Sequence, residues 1–270
     1  MATPTKGAFL TSEVAKREHY EQFRHYHIPY GQWVPNTPTD LHTDPGATTI
    51  ILHQSNRLNP YIDWPFASSV MPLLADYVSK ASALGMHVKM YFTIGQITNH
   101  MTELFALKSL GSEILGESPG DVPPTSTNAG SAVAAANDAH QQQQHVDVGS
   151  QGMGNGLVAN EWLEEHMVDG YQGGWFTMNP GDDEDASIAT DTSSRLLNYY
   201  VQGQGWLYDK MHLGGLYYDG NSAERSTQQR IRRMTEGIPP TNGTLAVFDV
   251  HGRGLAYVEE LPYLDSMWTW

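Results

Sequence analysis

Apolar and polar positions along this chain alternate between two periods. Residues 47–54, ATTIILHQ, are β-branched and apolar and follow a Pro-Gly pair, which predicts a strand. Residues 72–84 place apolar side chains at 73, 74, 77, 78, 81 and 84. That is the spacing of one helix face, with Pro72 in the first turn and Gly85 as the stop. Residues 87–94, HVKMYFTI, predict a second strand, and residues 101–110 a second helix ended by Gly111. After Gly173-Gly174, WFTM predicts a short strand, and residues 195–211 predict a helix with two glycines. Leu216–Tyr218 predicts a buried strand, followed by a polar helix from about Ser222. Glu224 in its first turn and Arg230, Arg232 and Arg233 near its end complement the helix dipole. TLAVFDVHG, residues 244–252, is the fifth strand candidate.

Strands alternating with helices across connections of a few residues imply parallel βα units, and so an α/β fold of the (β/α)8 barrel kind. Five strands fall short of eight. Either the aromatic, His-rich segment FRHYHIPYGQW (residues 23–33) and the aromatic tail each supply strands, or the chain is a piece of a larger protein. The aromatic, uncapped tail favours a piece. Residues 1–20 read as a polar lead-in, 21–115 as the first part of the barrel and 157–270 as the second. Residues 116–156 are rich in Pro, Gly, Ser, Asn and Ala and contain a Gln tract, which predicts a disordered, low-complexity insertion. Residues 160–171 read as a helix or a loop–helix, and the acidic stretch GDDEDASIATDTSS, residues 181–194, as a solvated loop.

Polar residues gather after each predicted strand, where the ligand face of such a fold lies. His53 and Asn56 follow the first strand, and Asn99 and His100 lie a few residues past the second. Asp219 follows Tyr218, and Asp249 and His251 end the last strand. Because side chains alternate along a strand, Tyr217 and Asp219 share one face and Leu216 and Tyr218 the other. A lone acid at the carboxyl end of a barrel strand is the position from which such folds run chemistry. An Asp that merely caps the loop fits the spacing too. His25 and His27 would share one strand face, but no third metal ligand follows by spacing.

Composition narrows the chemistry. With 15 basic and 30 acidic residues the formal charge is −15, so nonspecific nucleic-acid or anionic-membrane binding is not expected. Without cysteine, thiol catalysis and zinc–thiolate sites are excluded. The first 20 residues hold no apolar h-region and no run of 18 apolar residues occurs, so a soluble chain is expected. No G-x-G-x-x-G follows a strand and no Walker motif occurs; neither an organic cofactor nor a required metal is expected.

Six stretches add a family. GATTIILHQSNRLNPYIDWPF, HVKMYFTIGQITNHMTELFALKSLG, WLEEHMVDGYQGGWFT, SRLLNYYVQGQGWL, GLYYDGNSAERSTQQRIRR and LPYLDSMW occur in that order. Together they resemble the catalytic barrel of the family-123 glycoside hydrolases and their uncharacterised relatives. The resemblance implies a (β/α)8 barrel and hydrolysis of O-glycosidic bonds in an oligosaccharide or polysaccharide, with an N-acetylhexosamine as the sugar recognised. It also implies a substrate-assisted mechanism, in which the 2-acetamido oxygen attacks the anomeric carbon. One acid orients that group and an adjacent acid protonates the leaving oxygen. Asp219 matches the first acid of the family's Asp-Glu pair, and Gly220 stands where the family has Glu. Asp249 and Glu165 are the candidates for another acid. Arg195, Asn198 and Tyr218, in matching stretches, join His53, Asn56, Asn99, His100 and His251 as candidate sugar contacts. With the acid lost at Gly220, the alternatives are an inactive carbohydrate-binding barrel or a nonfunctional fragment of a larger hydrolase.

Overall fold

A computed structural model describes residues 24–116, 171, 173–191, 194–219, 225–237, 247–251 and 263–268. Six parallel strands form the main sheet, in the order β1 (His25–Ile28), β2 (Thr49–Leu52), β3 (His87–Phe92), β7 (Gly215–Tyr218), β8 (Val247–His251) and β9 (Ser266–Trp268). Every neighbouring pair in it is parallel. The early aromatic segment and the tail thus each contribute a strand, as one branch of the sequence expectation required. Among the described residues the sheet is not closed by pairing of β9 with β1.

Helices cover its outer face. They are α1 (Pro38–Thr43), α2 (Met71–Ala83), α3 (Leu104–Lys108), α4 (Leu196–Met211) and α5 (Arg225–Glu236). The helix expected over 101–110 is shorter than its apolar pattern suggested; Ser222 and Glu224 lie outside the described residues. α1 begins on Thr37, whose side chain accepts the Asp40 amide, with Pro38 in the first turn. Alternation in the strands sorts the core in two. Outward residues Ile50, Leu52, Val88, Met90, Phe92, Leu216, Tyr218, Phe248 and Val250 pack with Leu74, Val78, Ala81, Leu207 and Ile231 of the helices. Inward residues Ile51, Tyr91 and Tyr217 form a separate cluster with Ile62. Both faces of β2 and β3 are buried, as a parallel sheet requires.

A second, antiparallel sheet stands between β3 and β7 in the chain. It is made of β4 (Gln96–Thr98), β5 (Gly173–Asn179) and β6 (Asp183–Ala189), in the order β4-β6-β5. Two expectations are corrected here. WFTM is a strand, but it belongs to this sheet and not to the barrel wall. The acidic stretch expected to be a solvated loop contains β6, whose residues 185–189 are buried. Its three-residue turn, Pro180–Asp182, takes left-handed backbone at Gly181 (φ 90°) and Asp182 (φ 58°). The buried acid in it, Asp185, is satisfied by donors from elsewhere: the Ile62 amide at 2.9 Å and the Thr98 hydroxyl at 2.5 Å. Acidic composition alone cannot reveal such partners.

Candidate active site

The inward face carries the candidate residues. Asp219 stands directly after β7, at its carboxyl end, with its amide bonded to the Phe92 carbonyl at 2.9 Å. Its Oδ2 accepts the Tyr91 hydroxyl at 2.8 Å. Tyr91 is buried, and burial, then the neighbouring Asp219 carboxylate, holds its phenol far above the ordinary range. It therefore remains a proton donor to Asp219 at any working pH. Tyr217, on the same face two residues before Asp219, is likewise raised by burial and then by Asp219 and Asp249. His53, directly after β2, lays its ring on Tyr91 with centroids 3.9 Å apart. Behind it, His27 stacks on His53 at 5.2 Å and tilts against Tyr217 at 5.7 Å.

Beneath this mouth lies a charged floor. Lys89 and Asp249 are both fully buried and ion-paired, and His25 Nε2 stands 3.0 Å from the Lys89 ammonium and 3.4 Å from Asp249 Oδ2. Lys89 is on β3 and Asp249 on β8, so its side chain must cross β7. Gly215 makes the crossing feasible: a Cβ there would sit 2.9 Å from Lys89 Cγ and 2.2 Å from the Val247 carbonyl. Asp249 was expected at a strand end, open to a ligand. It sits instead in the middle of β8, opposite Tyr217 in register, with its carboxylate in the buried ion pair.

The second sheet walls one side of the mouth. Tyr30, just past β1, packs edge-on against Trp175 at 5.1 Å and donates to Thr177. Ser55 donates to Asn179 Oδ1 at 3.0 Å, and the Asn179 amide donates to the Pro60 carbonyl at 3.2 Å. Asp63, buried with left-handed backbone (φ 55°), takes the Thr93 amide at 2.6 Å and the Thr93 hydroxyl at 3.1 Å. Burial pushes the Asp63 carboxyl well above the usual range, against those donors, and Asp185 raises it further. Asp185 itself is pushed up to about 6 by burial, with the Thr98 hydroxyl and Ile62 amide pulling the other way.

The remaining predicted contacts divide sharply. Asn56 is buried inside its own loop, accepting the Leu58 and Asn59 amides at 2.9 and 3.1 Å and donating to the His53 carbonyl. Asn99 bonds the β6 backbone through Glu184 and Ala186, at 3.1 and 3.0 Å. His100 stacks on Tyr61 at 3.8 Å, 2.7 Å from the Glu184 carbonyl. These two therefore fasten the second sheet. Tyr218 points outward: it is buried between Phe92 and Phe248 and donates to Gln204 of α4, so it does not reach the mouth. Arg195, two-thirds exposed, pairs with Glu113, and Asn198 accepts from Arg230 at 2.8 Å, tying α4 to α5 on the outside. His251 ends β8; its side chain, like Glu165, lies outside the described residues.

Sequence reasoning passed over Tyr91 and Lys89, although the signal was present. HVKMYF alternates His87, Lys89 and Tyr91 with Val88, Met90 and Phe92, a period of two with its polar phase inward. Asp63 and Asp185 carry no such signal. No cluster of three or more potential metal ligands occurs among the described residues.

Several solved structures align with this chain at low identity. The noncanonic maltogenic α-amylase AmyB of Thermotoga neapolitana aligns with a TM-score of 0.47 at 10% identity, over 92% of this chain and 49% of its own. The trehalose-6-phosphate hydrolase of Bacillus licheniformis gives 0.47 at 10%, over 92% and 48%. An α-amylase of Malbranchea cinnamomea gives 0.45 at 10%, over 93% and 52%. This chain spans about half the length of these proteins. No curated protein sequence matches it. The profile of the glycoside hydrolase 123 TIM-barrel domain, in contrast, matches residues 16–270. With nearly its whole length matched, the chain belongs to the glycoside hydrolase 123 TIM-barrel domain family.

Proposed function

We propose that this chain hydrolyses O-glycosidic bonds of an N-acetylhexosamine-containing oligosaccharide or polysaccharide, with Asp219 as the acid that orients and stabilises the 2-acetamido group. The observation that carries the reading is the setting of Asp219. It stands at the carboxyl end of an inward-facing strand segment, half-buried, and its Oδ2 is held by the Tyr91 hydroxyl. A carboxylate so held keeps one orientation. As the acetamido oxygen closes on the anomeric carbon, positive charge grows on the ring it forms, and a fixed carboxylate beside it lowers that barrier. The half-buried His53 ring, stacked on the buried Tyr91, stands at the same mouth.

Hydrolysis of a panel of aryl glycosides, including the N-acetylgalactosaminide, tests the reading. Asp219→Asn is expected to lower turnover on the accepted sugar by roughly 10²-fold or more, with the melting curve retained. Turnover indifferent to that substitution would remove Asp219 from the mechanism. A second reading, an inactive carbohydrate-binding barrel, is favoured by Gly220, which stands where the family's adjacent acid would be. Calorimetric sugar binding without turnover by the intact chain would establish it in place of the first.

A further inference from the structure

We propose that His53 is the general acid and base of this site, supplying from β2 the proton that the glycine at position 220 cannot. The inference rests on the hydrolase reading above and names the group that completes it. His53 is the first residue past β2, with an inward-facing ring, while Asp219 is the first past β7. β3 alone separates the two strands in the sheet. Two strand spacings put their backbones about 10 Å apart, and inward-pointing side chains converge from there. Tyr91 of β3, opposite Tyr217 in register, touches both: its ring lies 3.9 Å from the His53 ring, and its hydroxyl donates to Asp219 Oδ2 at 2.8 Å. An acid and a stabilising carboxylate on opposite sides of one tyrosine can flank a single scissile bond.

Among the described residues, three other acids near the mouth are worse placed. Asp63 is 3% exposed, and both of its oxygens hold the Thr93 amide or hydroxyl. Asp185 is fully buried, bonded to Ile62 and Thr98. Asp249 is fully buried against Lys89. Each holds the fold together, and none presents a proton to the cleft. His53 is half-buried, and the Asn56 side chain donates to its carbonyl at 2.5 Å, steadying the turn that carries it.

The step balances as follows. The His53 imidazolium gives its N–H proton to the glycosidic oxygen as the C1–O bond breaks. The acetamido oxygen forms its bond to C1, and the alcohol leaves neutral. Asp219 offsets the positive charge on the new ring. Neutral His53 then takes a proton from water as the water oxygen bonds to C1 and the ring opens, which restores the imidazolium and the acetamido group.

Leaving-group dependence separates this role from a structural one. The wild type, His53→Gln and Asp219→Asn would be assayed on the phenyl and 2,4-dinitrophenyl N-acetylhexosaminides, with melting curves for each. A poor leaving group needs the proton and a good one does not. His53→Gln should lose roughly 10²-fold or more on the phenyl glycoside and about 3-fold or less on the dinitrophenyl one. Asp219→Asn should lose heavily on both. Equal losses of His53→Gln on both substrates, or none on either, would overturn the assignment while leaving the hydrolase reading standing. If His53→Gln does not fold, His53→Asn serves in its place, judged by the same ratio. A folded wild type inactive on both substrates would overturn the hydrolase reading, and His53 as its acid with it.

Discussion

Replacing Lys89 by methionine should destabilise the protein severely, because the change removes the ammonium paired with a buried carboxylate. Lys89 and Asp249 are each fully shielded from water. His25, at 3.4 Å from Asp249 Oδ2, can offset the charge only when protonated. Methionine fills the volume of the lysine stem over Gly215 but brings no cation. Removing one partner of a buried pair costs about 3–5 kcal/mol, since the other charge is left in a low dielectric without compensation. For a chain of this size that amounts to a fall in Tm of about 6–20 °C. The assay is thermal and urea unfolding followed by circular dichroism at neutral pH. A second variant isolates the cause. Lys89→Met combined with Asp249→Leu removes both charges and should recover at least about 2 kcal/mol of the loss, because a buried pair exchanged for apolar groups is close to neutral. The reasoning fails if Lys89→Met costs less than about 1 kcal/mol, or if the double variant is no more stable than the single one. Either result would mean that water or another cation reaches Asp249.

Three further outcomes follow from the same geometry. The Asp185 carboxyl is pushed up to about 6 from an ordinary 3.8, so the folded state keeps its proton while the unfolded chain has released it. Stability contributed by this group is therefore full below about pH 4, is lost as the pH rises to about 6, and is constant above, a change of roughly 3 kcal/mol. Subtracting the Asp185→Asn stability curve from the wild-type curve should expose that slope; a flat difference between pH 4 and 6 would contradict it. Gly215→Ala should cost about 3 kcal/mol or more, because the new methyl would lie 2.2 Å from the Val247 carbonyl oxygen and 2.9 Å from Lys89 Cγ. Equilibrium unfolding checks this, and a loss under 1 kcal/mol would mean that the Lys89 stem and β8 yield easily. Tyr218→Phe should cost about 1–3 kcal/mol by leaving Gln204 Oε1 without its donor, yet leave glycosidase turnover unchanged, since the phenol faces α4 and not the mouth.

What could be read from the sequence was local and periodic. The face shared by Tyr217 and Asp219 follows from alternation over three residues, and the structure keeps it: Tyr217 sits with Tyr91 and Ile51, and Asp219 meets the Tyr91 hydroxyl. The same alternation, carried through, sends Tyr218 outward, so its candidacy as a sugar contact conflicted with a rule already in use. What could not be read depends on partners far along the chain. Asp249 looks like an accessible strand-end acid until Lys89, 160 residues earlier, is brought across Gly215 to meet it. Residues 183–185 look like solvated loop until the Ile62 amide, 123 residues away, is seen bonded to Asp185. A carboxylate in a sequence carries a charge but no environment. In this fold the environment sorts the acids near the mouth: Asp63, Asp185 and Asp249 are consumed by amides, hydroxyls and an ammonium. Asp219 alone among these four keeps partial exposure, with the Tyr91 phenol donating to its Oδ2. That sorting narrows the acids, among the described residues, that could meet a ligand at the mouth. It is also why the proton donor is sought on a histidine rather than on a second carboxylate.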